Sequence, residues 1–477
     1  MALNRWTYSR LFFKLAIALV VLGGITVPRS AAALPSFARQ TGQPCGVCHT
    51  DHPRLTPFGC RFKLGGSDYR TTPFSDNSDK SKKGEEKEWV PPIAMMTIIG
   101  DTHTQAALPP PTAPFNSNDN VVLSPFSAFY AGAITDHIGT FAQVTYNAPP
   151  PGGFSDPFGH TWTWDNVDVR YADSTKIAGA DIIYGITANN NPTVQDVWNT
   201  TPAWVFPYAA STIAPTPAAK TIIDGAFAAH VVGVGGYTFI NDMLYLEASA
   251  YGTLDFRAQN SLGADPFGAP GLFEGAAPYW RMAIEPHWGD HWLMLGAFGM
   301  LATIHPWGDP TFALGTTTTF PQTDKYTDTG FDAQYQFQGN NYWLTLRGSY
   351  INEFQRLGGS FLNALSANQT NQLNTLRLQS SFAYDSDNRV VLTGQYFDTW
   401  GTSDALLYAG LASGFSPNSS GWIAEIAYIP FEMSRAPGWP WFNARIGLQY
   451  TAYEKFDGTT VGARDHNTLF LYAWFAM

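Results

Sequence analysis

Asp332-Ala333-Gln334-Tyr335-Gln336-Phe337-Gln338 runs into Gly339-Asn340-Asn341 and returns as Tyr342-Trp343-Leu344-Thr345-Leu346-Arg347. Ala333, Tyr335 and Phe337 alternate with Asp332, Gln334, Gln336 and Gln338. On the return, Tyr342, Leu344 and Leu346 share one face while Trp343, Thr345 and Arg347 share the other. Successive strand side chains point to opposite faces, so the stretch reads as a hairpin with one apolar and one polar side. The pattern recurs. Leu244, Leu246, Ala248 and Ala250 oppose Tyr245, Glu247 and Ser249, and Leu376, Leu378 and Phe382 oppose Arg377, Gln379 and Ser381. Phe442, Ala444, Ile446, Leu448 and Tyr450 oppose Asn443, Arg445 and Gln449. A soluble sandwich alternates too, but its polar face looks to water and is usually richer in Lys and Glu. Strands of roughly 10 to 14 residues suit a tilted crossing of a bilayer instead.

The connections carry the same message. Short ones fall at 135–138, 172–176, 240–242, 289–291, 339–341 and 385–388, with a longer one at 430–440. Between them lie long stretches rich in Pro, Gly, Ala, Thr and Asn at 103–120, 147–159, 189–221, 257–277, 305–324, 353–370, 401–421 and 456–465. Short periplasmic turns and long outer loops mark a bacterial outer-membrane barrel. The segments between them number about sixteen, with both chain ends on the short-turn side. The last segment sets Leu469, Leu471, Ala473 and Phe475 against Phe470, Tyr472 and Trp474, and resembles a C-terminal insertion signal with Met477 where Phe is usual.

Composition agrees. Charged residues make up 14% of the chain, where about 25% is typical of soluble domains. Aromatics reach 15%. A chain facing lipid outside and water inside needs little surface charge. The net charge of −11 argues against nucleic acid as a partner.

Residues 1–33 read as a cleaved signal peptide. Arg5, Arg10 and Lys14 precede an apolar core at 15–27, and Ala31-Ala32-Ala33 follows as a small-residue cleavage site. Just after it stands Cys45-Gly46-Val47-Cys48-His49, the attachment signature of a c-type haem. Cys45 and Cys48 supply two thiols for thioether bonds, and His49 supplies the iron's axial nitrogen. Zinc would need a further ligand pair, and the only other cysteine is Cys60. A disulfide loop would leave His49 without a role. The chain therefore divides into the signal at 1–33, a monohaem module at 34–70, a polar linker at 71–88 and a barrel at 89–477. The fold class is all-β, an outer-membrane antiparallel barrel of about 16 strands with a small N-terminal c-type haem module.

Pro35-Ser36-Phe37-Ala38-Arg39-Gln40-Thr41-Gly42, the Cys45 to His49 motif, Leu55-Thr56-Pro57-Phe58-Gly59 and Phe62-Lys63-Leu64 together resemble a known family. It is the fused monohaem cytochrome–porins of the bacterial outer membrane, which include the iron oxidases of iron-oxidising bacteria. The resemblance spans about forty residues; beyond them the barrel matches in architecture only. It implies one covalent haem c at or in a porin mouth, electrons passing to a periplasmic carrier (a soluble cytochrome or copper protein), and an extracellular donor such as Fe(II). Cys60 departs from the family, which usually has a basic residue there. As a lone third cysteine in an oxidising compartment it reads as a free thiol, as an intermolecular partner or, by preference, as a small buried residue of the haem module.

The sixth haem position stays open between Met95, Met96, His103 and no protein ligand, since His52 is too near His49 in sequence to reach the opposite haem face. Asp156 with His160, and His305 with Asp309, read as ordinary loop polarity. Three functions compete. The first is an electron conduit or iron(II)-oxidising oxidoreductase. The second is a solute-diffusion porin whose haem module docks or gates. The third, a secreted soluble cytochrome, is disfavoured by the low charge and the alternating loops.

Overall fold

The computed structural model describes residues 35–66, 91–107, 116–146, 160–308, 319–385, 389–411, 414–431 and 440–477. The signal segment 1–33, the linker 71–88, the ends of the 34–70 module, Asp156 and Asp309 lie outside the described residues.

The strands are β1 Ile93–Thr104, β2 Asn120–Ala133, β3 Ile138–Tyr146, β4 Trp162–Ile177, β5 Ala180–Asn189 and β6 Val231–Ile240. They continue as β7 Leu244–Thr253, β8 Ala277–Ile284, β9 His291–Pro306, β10 Asp324–Gln338 and β11 Tyr342–Arg356. The last five are β12 Thr370–Asp385, β13 Arg389–Gly401, β14 Ser419–Ile429, β15 Asn443–Lys455 and β16 Thr468–Ala476. Gly271–Phe273 and His287–Trp288 are short pieces flanking β8 and pairing with β9. Each strand pairs antiparallel with its neighbour in sequence. β16 pairs with β1 from Thr468 opposite Thr104 to Ala476 opposite Met96, closing a sixteen-stranded barrel without an edge.

The barrel is inside-out relative to a soluble protein. Along β10, Asp332, Gln334 and Gln336 are buried toward the lumen while Phe331 is 55% exposed outside. Leu346, Leu378, Leu392, Ile426 and Leu448 face outward on the following strands, while Thr345, Gln379, Thr393, Glu425 and Gln449 are buried. An aliphatic side chain left in water forfeits about 1.5–3 kcal/mol of burial. A continuous outer band of such residues is stable only against lipid. Aromatics ring both rims, as a membrane interface favours. Trp288, Tyr384 and Trp441 lie at the short-turn end, and Tyr146 packs on Trp162 at the long-loop end with ring centroids 5.4 Å apart.

Two expectations need correction. The short connection at 172–176 is strand: β4 continues to Ile177 and turns at Ala178-Gly179, both at positive φ. Ser174, Thr175 and Lys176 imitate a turn because this end of β4 is exposed to water rather than lipid, where polar residues are at home. The connection given as 189–221 runs on to His230. Ile222, Ile223 and Phe227 look like the start of a strand but are buried in an interior cluster with Tyr251, Phe298 and Ile351. Their apolar character serves a lumen contact, not lipid.

The lumen is filled from both ends. Residues 35–66 form a plug at the short-turn end, and the loop from Asn190 to His230 folds inward from the other. They meet where the Lys63 ammonium donates to the carbonyls of Val194 and Asp196 and to Asn199 Oδ1 at 2.6–2.8 Å.

Candidate functional site

The plug is built around the motif. Helix α1 (Pro35–Thr41) precedes a single turn, α2 (Cys45–Cys48); a ribbon of His49–Asp51 and Arg54–Leu55 follows, then α3 (Pro57–Leu64). Thr56 caps α3, its hydroxyl accepting from the Gly59 N–H at 3.1 Å, and Pro57 occupies the first turn where no N–H is needed. The same hydroxyl donates to the Val47 carbonyl at 2.7 Å, and the Thr56 N–H donates to the Cys48 carbonyl at 2.9 Å. The Leu55 to Gly59 run thus clamps the motif turn.

The barrel wall holds this plug through charge. Arg389 donates to the carbonyls of His49 and Thr50. Arg445 bonds Asp51 and the His52 carbonyl, both at 3.0 Å, while its other edge meets Glu425 and the Tyr472 hydroxyl. Burial pushes the Asp51 carboxyl up, but Arg54 and Arg445 outweigh it and hold the group below the usual carboxylate range. On α3, Arg61 pairs with Asp242 at 2.6 Å and Glu285 at 2.9 Å. Enclosure of its ammonium, reinforced by Arg170, pulls Lys63 down to about 7, while Asp196 works the other way.

Cys45, Cys48 and His49 open together onto one cavity of about 380 Å³. The plug forms one side; β15, β16 and β1 to β4 form the wall, and the inner loop closes the remainder. Its lining is mostly apolar, with Phe37, Phe129, Phe141, Trp204 and Trp474 prominent. Two thiols, an imidazole and an apolar slot facing the same space are what a thioether-bound haem requires, so the residues fit that group. No disulfide joins the cysteines. Among the described residues no cluster of three or more His, Cys, Asp or Glu could hold a metal ion of its own.

The other candidates separate cleanly. Met96 lines the cavity. Met95, one residue earlier on β1, is 40% exposed on the outer face, and His103 stands near the long-loop end bonded to Asp119. The His52 ring stacks beside that of His49, centroids 4.7 Å apart and planes 22° apart. Cys60 is buried against Leu55, Leu64, Val197 and Trp198, and burial pushes its thiol well up. The preferred reading, a small buried residue, is what the plug core contains. Sequence reasoning missed the wall: the alternation marked Arg445 as lumen-facing but could not say that it meets Asp51, and nothing in the loop flagged Trp204.

Among solved structures the barrel is similar to three outer-membrane proteins. OprB of Pseudomonas putida shares 11% identity over 80% of this chain and 92% of that one, with a TM-score of 0.43. The outer-membrane channel DcaP of Acinetobacter baumannii shares 11% over 81% and 96%, with a TM-score of 0.42. OmpT of Vibrio cholerae shares 9% over 81% and 97%, with a TM-score of 0.40. No family model matches the chain. No curated protein matches it either. Fold and lumen together define a porin-like barrel of the outer-membrane type.

Proposed function

We propose that this protein resides in the bacterial outer membrane and passes electrons across it through one covalent haem c seated inside the barrel. The observation carrying this reading is the shared cavity onto which Cys45, Cys48 and His49 open. When bound, the haem supplies a one-electron iron couple whose potential follows its axial ligands and surroundings. The chain's own residues do the rest. Cys45 and Cys48 would hold the group as thioethers and His49 would ligate it, while Phe129, Trp204 and Trp474 line the same cavity and would keep water from it. Arg389 and Arg445 tie the motif strap to the wall. Resemblance to the cytochrome–porins supports an outside donor, ferrous iron giving up one electron to become ferric. It also supports a periplasmic acceptor, a soluble cytochrome or copper protein. In that form the protein is an iron(II)-oxidising oxidoreductase.

Thiol counting tests the attachment. After unfolding and reduction of any disulfide, the purified protein should expose one titratable thiol per chain, Cys60, because thioethers consume the other two and resist the reductant; three thiols would refute covalent haem. Stopped-flow reduction by ferrous iron beside other donors then tests the donor. Iron that leaves the haem oxidised while another donor reduces it removes the oxidase reading and leaves the conduit.

The barrel itself favours a second reading, and does so more directly than it favours electron transfer. A sixteen-stranded wall is wide enough to surround a water-filled channel, so the protein would be a solute-diffusion porin whose path is set by the plug and inner loop that fill its lumen, with the haem module docking or gating. Steady conductance of the intact protein in planar bilayers, with the plug in place, would select it.

A further inference from the structure

We propose that Met96 supplies the second axial ligand of the haem, an inference that rests on the reading of Cys45, Cys48 and His49 just given. Two thioethers and one imidazole fix a c-type haem from the plug side alone. What stands across the cavity is set by the wall, and the wall is strand, so parity decides which side chains enter. On β1, Met95 turns outward to lipid and Met96 turns in. Among the described residues lining the cavity Met96 is the only thioether.

The competing donors are engaged or misplaced. His52 stacks beside His49 and belongs to the same side of the cavity. Lys63 spends its ammonium on three oxygens at 2.6–2.8 Å. The Tyr208 hydroxyl accepts from Arg347 at 3.2 Å. Met96 also sits in a firm frame. It lies opposite Ala476 on β16 and Ser127 on β2, where the barrel closes, and packs against the buried cluster of Ala94, Phe129 and Ala131, as Phe37 and Phe141 also do. A thioether has no proton to lose, so ligation forms one coordinate bond from sulfur to iron and releases nothing. His–Met ligation raises the potential relative to His–His ligation, in the direction that favours accepting an electron from a weak donor.

The test uses the full chain, matured with haem. Ferric haem with a Met ligand has a weak near-infrared sulfur-to-iron band that magnetic circular dichroism resolves. The unmodified protein should show it and Met96→Leu should lose it, with a fall in midpoint potential and an unchanged count of one thiol after unfolding. Met95→Leu should keep band and potential. Met96→His should restore a six-coordinate low-spin spectrum without the band and at a lower potential. This second variant keeps the test decisive if Met96→Leu does not fold, which heat-modifiable gel mobility reports. A band that is absent from the unmodified protein, or that survives in Met96→Leu, overturns the assignment while leaving the haem in place. Three thiols after unfolding overturn both the assignment and the haem reading beneath it.

Discussion

Gly59 shows how tightly single residues set this site. A methyl group built there would stand 2.1 Å from the Cys48 carbonyl oxygen and 3.1 Å from a Leu55 methyl. The obstacle is backbone, held by the Thr56 N–H, and cannot step aside cheaply. Gly59→Ala should therefore drive α3 away from the motif turn and cost about 1–3 kcal/mol, the usual range for overpacking. The measurement is hydrogen exchange of 45–64 in the detergent-solubilised protein, and protection equal to that of the unmodified chain would contradict it. Residues whose role is local were legible in the sequence. Cys45, Cys48 and His49 stand at the fixed spacing that thioether attachment of a haem would need, so the proposal for them could be made from the motif alone. Gly59 was not legible, since its function is an absence of atoms beside a carbonyl eleven residues back. Cys60 was legible only as a preference, settled by the apolar cluster around it.

At the scale of elements, the strands were readable and the inner loop was not. Alternation is imposed on every strand by lipid outside and polar lumen inside, so the period alone puts Arg445 and Gln449 on the polar face, where both are buried. The loop from Asn190 to His230 answers to no such period. Its residues are chosen by what they meet: Trp198 donates to Glu285 at 2.6 Å, and the Ile222 and Ile223 amides donate to Glu353 and Asp328. Its pivot is Asp196, fully buried. That carboxylate accepts from the amides of Trp198, Thr200 and Thr201 at 2.8–3.1 Å and lies 3.4 Å from Arg281. Burial pushes Asp196 up, but Arg281, Lys63 and those amides prevail and hold it down to about 2. A carboxyl with a depressed folded pKa contributes stability that is fully present above its ordinary value and is lost as pH falls through the folded one. The loop should therefore stay protected above about pH 4 and loosen between there and about pH 2. Hydrogen exchange of 190–230, corrected for the intrinsic rate, reads this out. Asp196→Asn should lower protection at neutral pH and flatten the acid response. An Asn variant that loosens over the same window as the unmodified protein would assign the effect to another group.

At the scale of the whole molecule, barrel and plug divide the work. The wall needs only its ladder and its lipid-facing band to stand: each strand is hydrogen-bonded on both sides, and closure between β16 and β1 leaves no edge. The lumen contents are held to that wall by ion pairs and hydrogen bonds of Arg61 with Glu285, Arg281 with Asp196, Arg389 with the His49 carbonyl and Arg445 with Asp51, not by the ladder. The loop can therefore be removed without opening the barrel. Replacing 191–229 with a short flexible linker should leave heat-modifiable mobility intact, because β5 and β6 keep their pairing from Ile182 opposite Ile240 to Asn189 opposite Gly233. It should also do two things that the two proposed functions weigh differently. Conductance in planar bilayers should rise, since the loop that meets the plug at Lys63 is gone. The cavity beside Cys45, Cys48 and His49 should lose Trp204 and Tyr208 from its lining and let water approach, so a haem held there as proposed would fall in midpoint potential. A rise in conductance with the potential unmoved would mean the loop gates a solute path and does not shield a cofactor, and the porin reading would then stand ahead. A fall in potential with conductance still negligible would mean the plug alone seals the lumen, leaving the barrel as the insulated housing of an electron relay.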